Sequence, residues 1–300
     1  MAQSRGVSGI RRTERLQSKA NPTNLIRVMP AEGEEMRQPE TATRDSQSCS
    51  GLPQSAAVML DRLRTQRPAI HCITNSVAQN FTANFLLAAG CVPSMTLSSE
   101  EIAAFVERAQ ALLINLGTFD GERREATEIA VETATRGNLP WVLDPVFIDR
   151  SPARAGFARQ LVTRGPRAVR LNRTEFSALA RNEPTPAALA AFARDNKTVV
   201  GLSGETDLVA DCARLSTIAN GHLLMAKVTG MGCAASALVA ACLAIEADAW
   251  RATATALLML GVAGELASAQ AKGPASFAMA LIDTLHSLDG PTLLARARVT

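Results

Sequence analysis

The stretch Ala111-Leu112-Leu113-Ile114-Asn115-Leu116-Gly117, followed after a helical interval by Trp141-Val142-Leu143-Asp144-Pro145, decides the fold. Each run is short, apolar and closed by a small or polar residue, and the interval between them opens on Asp120 and ends on Gly137. A strand buried on both faces reads as unbroken apolarity, whereas aspartate before and glycine after a helical segment are start and stop signals. The pair is therefore one βαβ unit. The same grammar repeats from Ala69 onward, with further strands at AVRLN (168–172) and VVGLSG (199–204), and it predicts a mostly parallel sheet with helices on its faces, an α/β/α three-layer architecture. Ser98 with Glu101 has the form of a capping box, and Thr185 before Pro186 marks another helix start. Asn220-Gly221, between two short runs, predicts a type I′ hairpin and an antiparallel addition to the sheet edge. Beyond Gly232 the chain reads as helical, with Asp248 capping the second long helix and Lys272-Gly273 ending it.

With 300 residues, 47% of them hydrophobic and 20% charged, the chain is long enough for one large domain, placed at 56–300. A net charge of +3 with scattered basic residues excludes a polyanion-binding face, so nucleic acid is not an expected partner. Six cysteines without CxxC spacing or a preceding secretory signal suit free thiols in a reducing cytoplasm. The apolar stretches at 238–245 and 256–263 are interrupted by charge short of membrane-spanning length and read as buried core helices, so no membrane partner is expected. Residues 1–55 lack apolar periodicity and are expected to be disordered. Arg5, Arg11, Arg12, Arg15 and Lys19 would suit a transit peptide, although composition favours an unstructured tail or a misplaced start codon.

In an open parallel sheet, ligands bind beyond the carboxyl ends of the strands. The residues there share one character: Asn115 and Gly117, Asp144 and Pro145, Asn172, Ser203 to Glu205, and Thr229 with Gly230 are all small or polar. Five such exits predict a bounded polar cleft. The segment Val228-Thr229-Gly230-Met231-Gly232-Cys233-Ala234-Ala235 runs from a strand exit through two glycines into an apolar helix, an arrangement that aims backbone N–H groups and a helix N-terminus at one point. Two readings stay open for it: an anion hole for phosphoryl transfer, or a tight turn with a small buried cysteine. Walker A, GxGxxG, HExxH and GxSxG sequences are all missing, so a nucleotide has to bind in another way.

His71-Cys72-Ile73-Thr74-Asn75, Asn80-Phe81-Thr82-Ala83-Asn84 with Gly90 and Pro93-Ser94-Met95, Asn115-Leu116-Gly117-Thr118, Leu143-Asp144-Pro145-Val146, Ser203-Gly204-Glu205-Thr206-Asp207, Asn220-Gly221-His222 and Lys227 through Cys233 resemble the hydroxyethylthiazole kinases in order and spacing, across 68–288. The resemblance implies a ribokinase-like fold, transfer of the γ-phosphoryl group of ATP to the alcohol of 4-methyl-5-(2-hydroxyethyl)thiazole with Mg²⁺, and a homotrimer with active sites between subunits. By position, Met95 and Gly230 would contact the thiazole alcohol with Asn75 close by. Arg154 would reach the ATP phosphates, and Ser203, where the family commonly has threonine, would offer its hydroxyl to the nucleotide. Glu175, in an Asn-x-x-Glu element with Asn172, would help place Mg²⁺ through water. Cys233 stands where related sugar kinases carry an aspartate base, and a thiol beside a helix N-terminus is expected to have a lowered pKa. Two departures bear on the nucleotide site: Phe147-Ile148-Asp149-Arg150 fill a loop that is typically glycine-rich, and Leu171 replaces a glycine. Other ribokinase-like enzymes, such as pyrimidine or pyridoxal kinases, would share the anion hole but not the early HCITN and PSM segments. A non-catalytic sensor of thiazole or nucleotide is the other alternative.

Overall fold

The fold is described by a computed structural model covering residues 51–300. Its strands are β1 (Ala69–Ile73), β2 (Val92–Ser94), β3 (Ala111–Asn115), β4 (Trp141–Asp144), β5 (Ala168–Asn172), β6 (Val199–Ser203), β7 (Asp207–Ala210) and β8 (Leu215–Ile218). The helices are α1 (Leu52–Gln66), α2 (Gln79–Ala88), α3 (Ile102–Arg108), α4 (Gly121–Arg136), α5 (Pro152–Val162), α6 (Arg173–Ala180), α7 (Pro186–Asn196), α8 (Met231–Leu243), α9 (Ala249–Gln270), α10 (Pro274–Ser287) and α11 (Gly290–Arg296). The expected disordered segment lies outside the described residues as far as residue 50. Its last residues are helical, because α1 starts at Leu52 with Pro53 in the first turn.

One eight-stranded sheet runs in the order β2-β1-β3-β4-β5-β6-β7-β8, parallel through β6 and antiparallel thereafter. Side chains alternate faces along a strand, and here both faces are apolar. Ala111 and Leu113 of β3 join a core beneath α1, α2, α8, α9 and α10, while Leu112 and Ile114 join a second core beneath α3 to α7. The sheet is thus the middle layer of three. All residues of α8 except Gly232 are buried, as expected for a helix apolar all round. α9, at 22 residues, is long and apolar enough by composition to cross a membrane, contrary to the expectation from its charges, yet 78% of its apolar window is buried inside the fold as a core helix.

Asp120, Thr185 and Asp248 cap their helices through side-chain oxygens, as predicted. Two local expectations fail. The Ser98–Glu101 box does not form, because Glu101 is itself the N-cap and its carboxylate accepts the Thr96 hydroxyl. The antiparallel addition exists but lies upstream of Asn220-Gly221: β7 returns from a turn at 204–206, and β8 from one at 211–214 organised by Asp211. The Asn220 side chain is drawn instead into tertiary bonds, donating to Glu265 Oε1 at 3.1 Å and the Arg296 carbonyl at 2.9 Å and accepting from Arg298 N at 2.7 Å. These bonds lead the C-terminal residues along β8, where Thr217 N donates to the Thr300 carbonyl and Thr300 N to that of Thr217.

Candidate active site

The parallel register sets the strand exits side by side: Met95 after β2, Asn75 after β1, Asn115 ending β3, Asp144 ending β4, Asn172 ending β5 and Ser203 ending β6. The N-terminus of α8 crosses the middle of this row. Gly230, its N-cap, has φ 86°, and a Cβ there would stand 3.0 Å from Ala78 Cβ, so both conformation and space require glycine. The first-turn amides of α8 have no acceptor inside the helix and its N-cap offers no side-chain bond, which leaves donors available to an anion.

Beneath that turn lies a buried polar network. Asn75 Nδ2 donates to Cys233 Sγ at 3.0 Å, and Asn115 Nδ2 donates to Cys233 Sγ at 3.2 Å and to Asp144 Oδ2 at 2.6 Å. Ser236, one turn along α8, donates to the same Asp144 oxygen at 2.9 Å. Gly117 packs against this network so closely that a Cβ would meet Asn75 Nδ2 at 2.7 Å, and its amide donates to Asn115 Oδ1 at 3.0 Å. Burial pushes the Asp144 carboxyl above the usual carboxylate range, with Arg170 opposing. Cys233 departs from expectation. Burial and then the charge of Asp144 push its thiol up to about 11, outweighing the Asn75 hydrogen bond and Arg170, so it is a neutral thiol at physiological pH and not a lowered-pKa base.

Glu175 and Asn172 form a capping box at the start of α6: Asn172 Oδ1 accepts from Glu175 N, and Glu175 Oε2 accepts from Asn172 N, both at 2.9 Å. Its other oxygen accepts from Phe147 N at 3.1 Å. Burial and the nearby charge of Asp144 raise its pKa. Asp144 and Glu175 are thus two buried carboxyls at neighbouring strand exits, the charge of the first disfavouring that of the second. Among the described residues no group of three or more His, Cys, Asp or Glu could hold a metal ion.

Sequence reasoning missed Arg170. Inside an apolar strand an arginine carries no signal, but the fold turns it toward α8, where a Cβ on Gly232 would lie 2.8 Å from its Nη1. Its charge acts on Asp144, Glu175, Asp207 and Cys233 together, and its buried Nε has no hydrogen-bond partner. The Ser203 hydroxyl, paired in register beside Asn172, is likewise buried without a partner. Arg154 is placed differently. It sits in the first turn of α5, donates from Nη1 to the Val146 carbonyl at 3.1 Å and lies over the Phe119 ring, with no bond to the network. Met95 is half-buried against the first core at the β2 end of the row. Leu171 points into the second core, so its bulk stays out of the cleft, whereas Phe147 is 48% exposed with φ 59° and its ring under Arg150. A concavity of about 640 Å³, lined among others by Pro140, Arg167 and Ala247, opens at the opposite ends of the strands and shares no residue with this site.

A solved ribokinase-like superfamily protein from Enterococcus faecalis, 14% identical, superposes with a TM-score of 0.58 over 76% of this chain and 90% of its own. That likeness defines the fold as ribokinase-like. A family model for the hydroxyethylthiazole kinase family matches residues 60–290. A probable hydroxyethylthiazole kinase of Agrobacterium fabrum is 43% identical over 81% of this chain and 94% of its own length. The structure of a hydroxyethylthiazole kinase from Pyrococcus horikoshii, 35% identical, has a TM-score of 0.79 over 82% of this chain and 98% of that one. The chain belongs to the hydroxyethylthiazole kinase family and is an enzyme of the phosphoryl-transferring class.

Proposed function

We infer that this chain transfers the γ-phosphoryl group of ATP to the hydroxyl of 4-methyl-5-(2-hydroxyethyl)thiazole, a reaction of thiamine biosynthesis or salvage, in the cytoplasm. The observation that supports this reading is the spatial row of strand exits: Met95, Asn75 and Gly230 at one end would take the acceptor, Asn172, Glu175 and Ser203 at the other would take the nucleotide, and the α8 N-terminus stands between them. Arg154 and Arg170, each with a buried Nε that lacks a partner among the described residues, would both be available to phosphate oxygens. The free amides at Gly232 and Cys233 would hold the transferring group where its charge spreads over the equatorial oxygens. Cys233, neutral and held by two amides, would orient the alcohol rather than deprotonate it. Mg²⁺ held by Glu175 with Asp144, largely through water, would neutralise β- and γ-phosphate charge. Residues 56–300, together with the helix that starts at Leu52, form the kinase domain. A homotrimer with active sites between subunits accounts for Val77, 74% exposed two residues after Asn75, as an apolar side chain that a neighbouring subunit would cover.

The deciding experiment is ADP release with ATP and Mg²⁺ in the presence of the thiazole alcohol, a hydroxymethylpyrimidine or pyridoxal. Turnover selective for the thiazole alcohol is expected. Turnover of another alcohol instead would transfer the assignment to it, and thiazole binding without turnover would make the protein a sensor.

A further inference from the structure

We propose that His71 is a positioning residue for the acceptor pocket, one imidazole gripping the Ser94 side chain before Met95 and the Thr96 backbone after it. The inference rests on the reading above that Met95 contacts the thiazole alcohol. His71 lies in β1, fully buried, and faces Ser94 across the β1–β2 register. Its Nδ1 lies 2.8 Å from Ser94 Oγ and its Nε2 lies 3.2 Å from the Thr96 carbonyl. A carbonyl only accepts, so Nε2 carries the proton and Nδ1 accepts from the Ser94 hydroxyl, which fixes one neutral tautomer. Burial, against the Thr96 bond and the charge of Glu101, lowers the ring's pKa to about 4, so both bonds persist at physiological pH.

The segment needs such a tie. β2 is a three-residue edge strand containing Pro93, paired among the described residues only with β1, and residues 95–98 after it adopt no regular structure. Backbone pairing therefore holds Met95 weakly. The imidazole bonds supply the missing constraint one residue to each side, and Thr96 is further tied by its hydroxyl to Glu101, the N-cap of α3. Phe105, on α3, closes over the ring with centroids 6.0 Å apart. A side chain that grips both neighbours of one residue fixes where that residue's side chain points, as a preorganised pocket requires.

The test is steady-state kinetics of His71→Leu, His71→Gln, Ser94→Ala and Met95→Ala, each checked for fold by circular dichroism. His71→Leu removes both bonds and is expected to raise KM for the thiazole alcohol about tenfold, with KM for ATP within about twofold of wild type. His71→Gln carries an amide N–H near the Nε2 position and should recover most of the loss, which a merely structural role would not predict. Equal rises in both KM values, or an unchanged thiazole KM, overturn the proposal. If Met95→Ala raises the thiazole KM while His71→Leu does not, only the positioning role is lost; if Met95→Ala leaves it unchanged, the acceptor assignment itself fails. Should His71→Leu not fold, Ser94→Ala decides, with a rise of about threefold in the same constant expected and no rise refuting.

Discussion

Replacing Gly232 with alanine sets two physical effects against each other. Gly232 is in the first turn of α8 without a positive φ, so alanine is conformationally welcome there and is worth up to about 1 kcal/mol of stability. Its methyl group would lie 2.8 Å from Arg170 Nη1, where ordinary contact begins at 3.4 Å. The atom that has to give is the far end of a flexible side chain, so the fold loses little. If Arg170 binds ATP phosphates as proposed, the site would lose the guanidinium's placement, a charge-assisted contact worth about 1.5–3 kcal/mol, or roughly 10- to 150-fold in kcat/KM for ATP. Thermal unfolding should show Tm unchanged or raised by about 2–4 °C while ADP release falls by that factor. Repeating the substitution in an Arg170→Met background separates the causes: if alanine acts by displacing Arg170, it costs nothing further there. Wild-type activity of Gly232→Ala, or a loss of stability parallel to the loss of rate, would refute the reasoning.

Three other outcomes follow from the same geometry. Cys233→Ser should keep measurable activity, and the wild-type rate should show no ionisation assignable to the thiol between pH 6 and 9, because burial holds that pKa near 11; abolition of activity in folded Cys233→Ser would contradict it. Asp144 has its folded pKa raised above the unfolded value, so the stability linked to it is complete below the unfolded pKa and is lost as pH rises through the folded one. Asp144→Asn should therefore lose activity while gaining Tm over wild type, with a larger gain at pH 8 than at pH 5, and a gain that grows on acidification would refute the assignment. Phe147→Gly relieves a left-handed backbone and should stabilise by about 0.5–1 kcal/mol in urea titration, whereas destabilisation would mean that the ring's contact with Arg150 outweighs the strain.

Much of the architecture was legible because its signals are local. Continuous apolar runs such as 111–115 give the buried strands, and Asp120, Thr185 and Asp248 give helix starts, since a cap needs only its own first turn. Four of the five expected polar exits do end or follow strands; the segment before Thr229-Gly230 is a 3-10 helix, Leu223–Lys227, rather than a strand. What escaped depends on partners distant in sequence. Arg170 meets Gly232 only through the sheet's topology, and an arginine within AVRLN looks the same whether it faces solvent or a phosphate site. Asn220-Gly221 has the composition of a hairpin turn, but Glu265 and Arg298 claim the asparagine, and tertiary bonds override turn preference. For Cys233, the helix end visible in the sequence lowers a thiol pKa, while the burial and the Asp144 charge that win are visible only in the fold.

The residues lying along β8 have a consequence for how molecules of this protein meet. An open sheet has two rims, and an unpaired rim is a template on which a foreign strand can polymerise. Here one rim is closed by the chain's own residues 298–300, and the other is a three-residue strand interrupted by Pro93, too short and too poor in donors to recruit a partner. Among the described residues neither rim therefore offers a long unpaired strand to another copy of this chain, and deleting the last three residues should make the protein prone to edge-to-edge clumping.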